Sequence, residues 1–253
     1  MSFFTLLKKN HVATLQFDRV KSGNSVNLAV MEELNQLITT CYDDQEIRAL
    51  IITGTDRFFI SGGDLKEFHD LTSEDDGKMM AVQMQDILLR LEFAPFYTIA
   101  AVNGLAYGGG CETMLACDFI VAADDSVFGF TQGKFYLPPG WGGLTRLIHK
   151  VGKAKALEWL GRQAVITPPE ALQSGLVNHL YPADSFLADA ENFALELTKN
   201  DREFIQNLKQ QAANISLKDM QSTIAAETTA FAKFWAHDEH LKRVQNFLSR
   251  RGS

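Results

Sequence analysis

The segment Asn103-Gly104-Leu105-Ala106-Tyr107-Gly108-Gly109-Gly110-Cys111-Glu112 sets three adjacent glycines beside one carboxylate. An apolar, strand-like run from Tyr97 to Val102 precedes it, and a helix-like run from Thr113 to Cys117 follows. Glycines at a helix start leave backbone N–H groups without intrahelical partners, and the helix dipole adds positive potential there. Such a terminus can hold an anion, or the charge that develops on a carbonyl oxygen during a reaction. Glu112 lies three residues after Gly109, a spacing that puts its carboxylate on the same helix face as the Gly109 N–H. One short segment therefore offers an oxyanion donor and an acid/base. The competing reading of the same glycines is a tight turn or close helix–sheet packing without chemistry.

A second segment repeats the pattern. Ile47 to Thr53 is rich in β-branched residues and reads as a buried strand. Gly54 and a loop containing Phe58-Phe59-Ile60-Ser61-Gly62-Gly63-Asp64-Leu65-Lys66 come next. A strand again runs into a glycine turn that opens toward an expected helix, with Asp64 as its cap. Ligand sites in parallel sheets gather at such carboxyl ends. Two glycine turns can aim two N–H donors at one oxygen.

Taken in order along nearly the whole chain, these motifs resemble the crotonase superfamily, the enoyl-CoA hydratase/isomerase family. The resemblance rests on Asn27-Leu28, Phe59 through Lys66, Asn103 through Asp118, Val127-Phe128-Gly129, and Pro139-Gly140-Trp141-Gly142-Gly143 through Arg146-Leu147. Gly161, Glu170-Ala171 and Gly175-Leu176-Val177-Asn178 complete it. It implies an α/β fold with a repeated β-β-α core, a homotrimer or hexamer, and acyl-CoA thioester substrates. It also implies that the Gly63 and Gly109 N–H groups form an oxyanion hole. Gly63, Asp64, Leu65, Lys66 and Gly109 then become the substrate-binding segment, with Lys66 as a local cation for coenzyme A. Coenzyme A would enter as part of the substrate, with no separate cofactor and no metal. Tyr136 and Trp141 would border the acyl pocket as shape-determining residues, although such aromatics more often simply pack.

The chain departs from that family at one place. Family hydratases use two glutamates, of which one falls at Glu112 and the second at Gln132. Glutamine donates and accepts hydrogen bonds but carries no acidic proton. Two-carboxylate addition of water is therefore expected to be impaired, with Gln132 holding water or substrate in place. Three readings stay open: a hydratase/isomerase-type enzyme with one acid/base, a decarboxylase of a malonyl-type acyl-CoA, and a non-catalytic acyl-CoA binder.

Several elements are expected to position these residues. Val12 to Phe17, Leu50 to Thr53, Ile99 to Val102, Phe119 to Ala122 and Val177 to Tyr181 read as strands, as does the apolar alternation of the first nine residues. Leu28 to Cys41, capped by Asn27, and Glu74 to Phe93, stopped before Pro95, read as helices. After about residue 141 helices dominate: 144–151, 154–160, 168–174, 185–197, 202–213 and 217–235. This pattern predicts a core of residues 1–195 and a helical region of residues 196–253. That region is too short to fold alone and is expected to pack on its own core or on a neighbouring subunit. His237-Asp238-Glu239-His240 lacks zinc-helix spacing and reads as a solvated helix end. Asp118, at a helix-to-strand junction, reads as a structural hydrogen-bonding group.

Composition narrows the classes further. The chain has 253 residues, with 46% hydrophobic and 22% charged, which is ordinary for a globular protein. A net charge of −7 and the lack of a basic stripe argue against nucleic acid or an anionic membrane as main partner. No apolar run reaches membrane-spanning length and the first residues lack signal-peptide order, so a cytoplasmic location is expected. Cys41, Cys111 and Cys117 sit in apolar patterns and read as buried free thiols. No nucleophile elbow, phosphate-binding loop or dinucleotide fingerprint appears. A side chain at Gly109 is expected to block the oxyanion donor yet leave folding intact, because the turn should border an open cleft.

Overall fold

The computed structural model describes residues 2–214 and 217–249. Two sheets organise the chain. The larger has six strands in the order β1-β2-β3-β5-β7-β10: Phe4–Lys9, Val12–Phe17, Ala49–Thr53, Tyr97–Val102, Phe119–Ala123 and His179–Tyr181. β1 and β2 form an antiparallel hairpin, and every pairing from β2 to β10 is parallel. The smaller sheet is β4 (Phe58–Ile60), β6 (Leu105–Tyr107), β8 (Val127–Gly129) and β9 (Val165–Ile166), in that order. Its first three strands are parallel.

The connectivity is a repeat. β3 feeds β4 and then α2 (Glu74–Glu92); β5 feeds β6 and then α3 (Gly109–Leu115); β7 feeds β8 and then α4 (Gly143–Val151). Each turn of the chain adds one long strand to the first sheet and one short strand to the second. This is the β-β-α core expected from the sequence. The short strands β4, β6 and β9 are not evident from periodicity, because runs of two or three residues cannot establish alternation.

Local chemistry fixes the helix starts. α1 (Leu28–Asp43) begins where the Asn27 Oδ1 accepts the Val30 N–H at 2.8 Å. α2 begins with a capping box between Ser73 and Asp76. All five residues of β3 are buried, as expected of a central parallel strand covered on both faces. Leu50 and Ile52 face the main core with Met31, Leu34 and Leu88. Ala49 and Ile51 face the second core, completed by Phe186, Ala190 and Ala194 of α7 (Phe186–Leu197).

The remaining helices are α5 (Lys153–Gly161), α6 (Pro168–Gln173), α8 (Arg202–Asn214), α9 (Leu217–Trp235) and α10 (Asp238–Ser249). α9 lies along α2 of the same chain: a Cβ on Gly77 would stand 2.6 Å from the Trp235 side chain. Lys209 of α8 pairs with Asp118 at 2.6 Å. Asp118 also accepts the Thr98 N–H at 2.8 Å, which makes it a structural anchor. Within the bounds 1–195 and 196–253, residues 1, 215, 216 and 250–253 lie outside the described residues.

Two sequence expectations are corrected here. His237-Asp238-Glu239-His240 opens α10, with His237 and Asp238 exposed as a solvated helix end requires, but His240 is buried. Its Nδ1 meets the Phe135 carbonyl at 2.7 Å, so burial against Trp235 and that bond outweigh solvation. Asp64 does not cap a helix, because the chain after it runs through turns. Its Oδ2 binds Arg19 at 3.1 Å and the Ser25 hydroxyl at 2.8 Å, while its Oδ1 accepts the Lys66 N–H at 3.2 Å and so caps only that turn.

Candidate active site

Three loops leave the carboxyl ends of β4, β6 and β8, which are neighbours in the small sheet. They carry Gly62-Gly63, Gly108-Gly109-Gly110 and Phe130-Thr131-Gln132. The repeat therefore brings together segments far apart in sequence, at the edge where α/β sheets hold ligands.

The first two loops touch. A Cβ on Gly62 (φ +109°) would lie 3.2 Å from the Tyr107 carbonyl and 3.5 Å from the Gly109 nitrogen. The Gly62 carbonyl and the Asp64 N–H tie this turn to Val26, which leaves the Gly63 N–H outside that pairing. In α3 the first N–H to bond back is that of Glu112, to the Gly108 carbonyl at 3.1 Å. The Gly109 N–H precedes it and has no intrahelical acceptor.

Glu112 is buried, and its carboxylate is held by backbone N–H donors of the turn before α4. Oε2 accepts from Trp141 at 2.7 Å and from Gly143 at 3.0 Å. Oε1 accepts from the Gln132 amide at 3.2 Å and from Gly140 at 3.4 Å. Gly143 must be glycine here, because a Cβ would stand 2.6 Å from Glu112 Oε2. Burial pushes the Glu112 carboxyl up to about 7. The Trp141 N–H, the Gln132 amide and the Gly140 N–H pull against that rise, and the Glu227 charge adds to it. A carboxyl poised near neutrality can both take and return a proton.

Gln132 thus meets Glu112 directly. Its Oε1 is buried without a hydrogen-bond partner among the described residues.

Trp141 is 4% exposed, and its indole lies across both glycine turns. A Cβ on Gly109 would fall 2.2 Å from Cζ3, and one on Gly63 would fall 3.8 Å from Cζ2. This overturns the expectation of open space beside Gly109. The indole fills that space, so a substitution there strains packing as well as the donor.

The other expected residues divide. Leu65 lines a cavity of about 300 Å³ with Phe68, His69, Trp235, His240 and Val244. Phe68 connects it to the glycine turns, since its Cε2 would be 3.3 Å from a Cβ on Gly63. Lys66 is exposed. Asp64 is turned inward to Arg19. Tyr136, held at φ +60°, packs its ring on Phe234 and His237 of the C-terminal region. Cys111 is buried beside Glu112, and burial raises its thiol well above the usual range. Cys41 and Cys117 are also buried, and burial pushes their thiols up to about 11 and about 12.

Sequence reasoning assigned no role to three residues that grip the 139–143 turn and the first turn of α4. Gln85 of α2 donates to the Gly140 carbonyl at 3.1 Å and to the Ile224 carbonyl at 3.3 Å. Arg146 donates to the Trp141 carbonyl at 2.7 Å and pairs with Glu92 at 3.0 Å. Glu227 of α9 accepts the Thr145 N–H at 2.6 Å. One signal was available for Glu227: it is an acid beside Ile224, Thr228 and Phe231 on the buried stripe of α9.

The family described as enoyl-CoA hydratase/isomerase matches residues 7–253 of the chain. A probable enoyl-CoA hydratase of Mycobacterium bovis is 31% identical, over 99% of this chain and 97% of that protein. An ethylmalonyl-CoA decarboxylase of Xenopus tropicalis is 29% identical, over 89% of this chain and 76% of that protein. The solved enoyl-CoA hydratase of Bacillus anthracis superposes with a TM-score of 0.82 at 28% identity, covering 98% of this chain and 97% of its own.

Proposed function

Since the chain belongs to the enoyl-CoA hydratase/isomerase family, we propose that it stabilises the enolate of an acyl-CoA thioester, with Glu112 as its one acid/base. The observation that carries this reading is the position of Glu112. It is a buried carboxyl, raised to about 7 by burial, in the helix that opens at Gly109, and among the described residues the Gly63 and Gly109 N–H groups enter none of the backbone bonds that tie these turns together. The thioester carbonyl oxygen would accept from Gly63 and Gly109. Glu112 would take a proton from the carbon chain, the electron pair would pass to that oxygen, and the proton would return at the same or another carbon. Preorganised donors of this kind are worth roughly 10²–10³-fold each.

The cavity of about 300 Å³ beside Phe68 suits an apolar part of the substrate, and the exposed Lys66 suits an anionic part of coenzyme A. Coenzyme A would arrive as part of the substrate. The Trp141 indole over Gly109 favours a small group at the reacting carbons. A homotrimer or hexamer and a cytoplasmic location belong to the same reading. Among the described residues, no helix is long and apolar enough to cross a membrane.

Gln132 favours a second reading. With an amide where family hydratases have a second carboxylate, only one group is left to move a proton. Decarboxylation of a malonyl-type acyl-CoA needs no more. The bond to the carboxylate carbon would break, its electron pair would flow to the thioester oxygen, and carbon dioxide would leave. Protonated Glu112 would then supply a proton to the enolate carbon. Incubation with enoyl-, malonyl- and alkylmalonyl-CoA thioesters, read by mass spectrometry, separates the cases. Gain of water means hydration, loss of carbon dioxide means decarboxylation, and unchanged mass with altered retention means isomerisation. Glu112→Gln should lower turnover at least about a hundredfold on the true substrate. Wild-type turnover in that variant would refute the role of Glu112, and no turnover of any thioester by the wild type would leave a non-catalytic binder.

A further inference from the structure

The first turn of α4 ends on two carboxylates from different parts of the chain. The Gly143 N–H donates to Glu112 Oε2 at 3.0 Å. The Leu144 and Thr145 N–H groups donate to Glu227, at 3.2 and 2.6 Å, and the Thr145 hydroxyl donates to Glu227 as well. Glu112 comes from α3 and Glu227 from α9. A helix N-terminus presents about half a positive charge through its free N–H groups. Here that potential is shared between two buried acids.

The surrounding charges sharpen the arrangement. Burial pushes the Glu227 carboxyl up; its Thr145 and Leu144 donors pull it back, and Arg146 of α4 does so least, its guanidinium already serving Glu92 of α2 and the Trp141 carbonyl. Cys111 of α3 is held as a thiol, and Gln132 faces Glu112 as a neutral amide. Glu227 is 8% exposed and has no direct salt bridge among the described residues. It depends on the helix terminus, as Glu112 does.

We propose that Glu227 is a positioning residue for Glu112: by holding the second and third N–H groups of α4 it fixes the Gly143 donor, and its charge sets the pH range over which Glu112 works. The proposal rests on Glu112 being the acid/base. It also makes docking of the C-terminal helix α9 a condition of a competent site. The direction follows from like charges sharing one donor set. Glu227 raises the proton affinity of Glu112. Neutralising Glu227 frees more of the helix potential for Glu112, so Glu112 ionises at lower pH.

The test is the pH profile of Glu227→Gln on whichever thioester the wild type turns over. The Glu112-dependent limb should move to lower pH by roughly half a unit to one unit. That direction holds for a base, whose activity rises through its pKa, and for an acid, whose activity falls through it. Glu227→Asp keeps the charge and should return the limb toward the wild-type position. A second measurement does not need catalysis or a folded Glu227→Gln. The infrared band of protonated carboxyls reports both acids in the wild type, and Glu227 alone among the pair in Glu112→Gln. Coupling is reciprocal, so Glu227 should titrate at lower pH in Glu112→Gln than in the wild type. Unmoved midpoints in the profile or in the infrared titration overturn the proposal. Failure of the underlying reading is separate, since it appears as retained turnover in Glu112→Gln.

Discussion

The Trp141 indole rests on Gly109 so closely that a Cβ there would stand 2.2 Å from Cζ3. The same residue donates its backbone N–H to Glu112 Oε2 at 2.7 Å. One tryptophan thus touches the proposed oxyanion donor with its ring and the acid/base with its main chain. Gly109→Ala should push the ring away at an overpacking cost of about 1–3 kcal/mol. Moving the ring also moves the Trp141 N–H, so turnover should fall by roughly 10²–10³-fold. Combining it with Trp141→Ala should cost less stability than the two single changes added together, because the clash is gone. Denaturant unfolding of the four proteins checks this, and simple additivity would contradict the packing.

Glu112 should make stability depend on pH. Its folded carboxyl, at about 7, lies above the ordinary 4.5, so between those values the native state binds more protons than the unfolded chain. Stability then falls as pH rises through that window, by on the order of 3 kcal/mol for a shift of this size. Burial of the charged form is the cause. Glu112→Gln removes that dependence, so the variant should gain stability over the wild type as pH goes from 5 to 8. Melting curves at several pH values measure it, and parallel curves for the two proteins would contradict the assignment.

Gln132→Glu would set two carboxyls against each other across the present 3.2 Å contact. Like charges at that distance cannot both ionise readily, so the pair should share a proton and titrate as a unit. Stability at pH 8 should fall relative to the wild type. Hydration of a short enoyl-CoA should rise by roughly tenfold or more, since a second acid is worth about 10²–10⁴-fold when well placed. Following the hydrated product by mass gives the answer. An unchanged hydration rate in a folded variant would mean that the amide is not what limits water addition.

Lys66 is exposed beside the Gly63 turn. If it meets an anionic part of coenzyme A, Lys66→Glu should raise KM several-fold, most strongly at low salt, and leave kcat nearly unchanged. Steady-state kinetics at two ionic strengths distinguish this from a fall in kcat, which would place Lys66 elsewhere in the reaction.

Parts of this molecule whose signals are local can be read from neighbouring residues alone. The buried run of β3, the Asn27 cap of α1 and the apolar spacing of α2 follow from neighbouring residues, because period and capping are short-range properties. The two glycine turns and Glu112 were legible for the same reason: a strand, a turn and a helix start are contiguous. What meets them depends on contacts that form when distant segments fold together. The strands β4, β6 and β9 are too short to declare themselves; the repeat stacks β4 and β6, and β9 pairs antiparallel with β8. Asp64 reads as a helix cap and instead caps a turn through Oδ1 while its Oδ2 pairs with Arg19, a partner 45 residues away that no local pattern announces. His240 reads as solvated and is buried against Trp235, with its ring nitrogen on the Phe135 carbonyl. Above all, the backbone donors that hold Glu112 come from the 139–143 turn, which Gln85 and Arg146 grip, while Glu227 of α9 holds the first turn of α4 that follows it. Hydrogen bonds across such sequence distances leave no periodic trace, so this part of the site could be read only once the chain had folded.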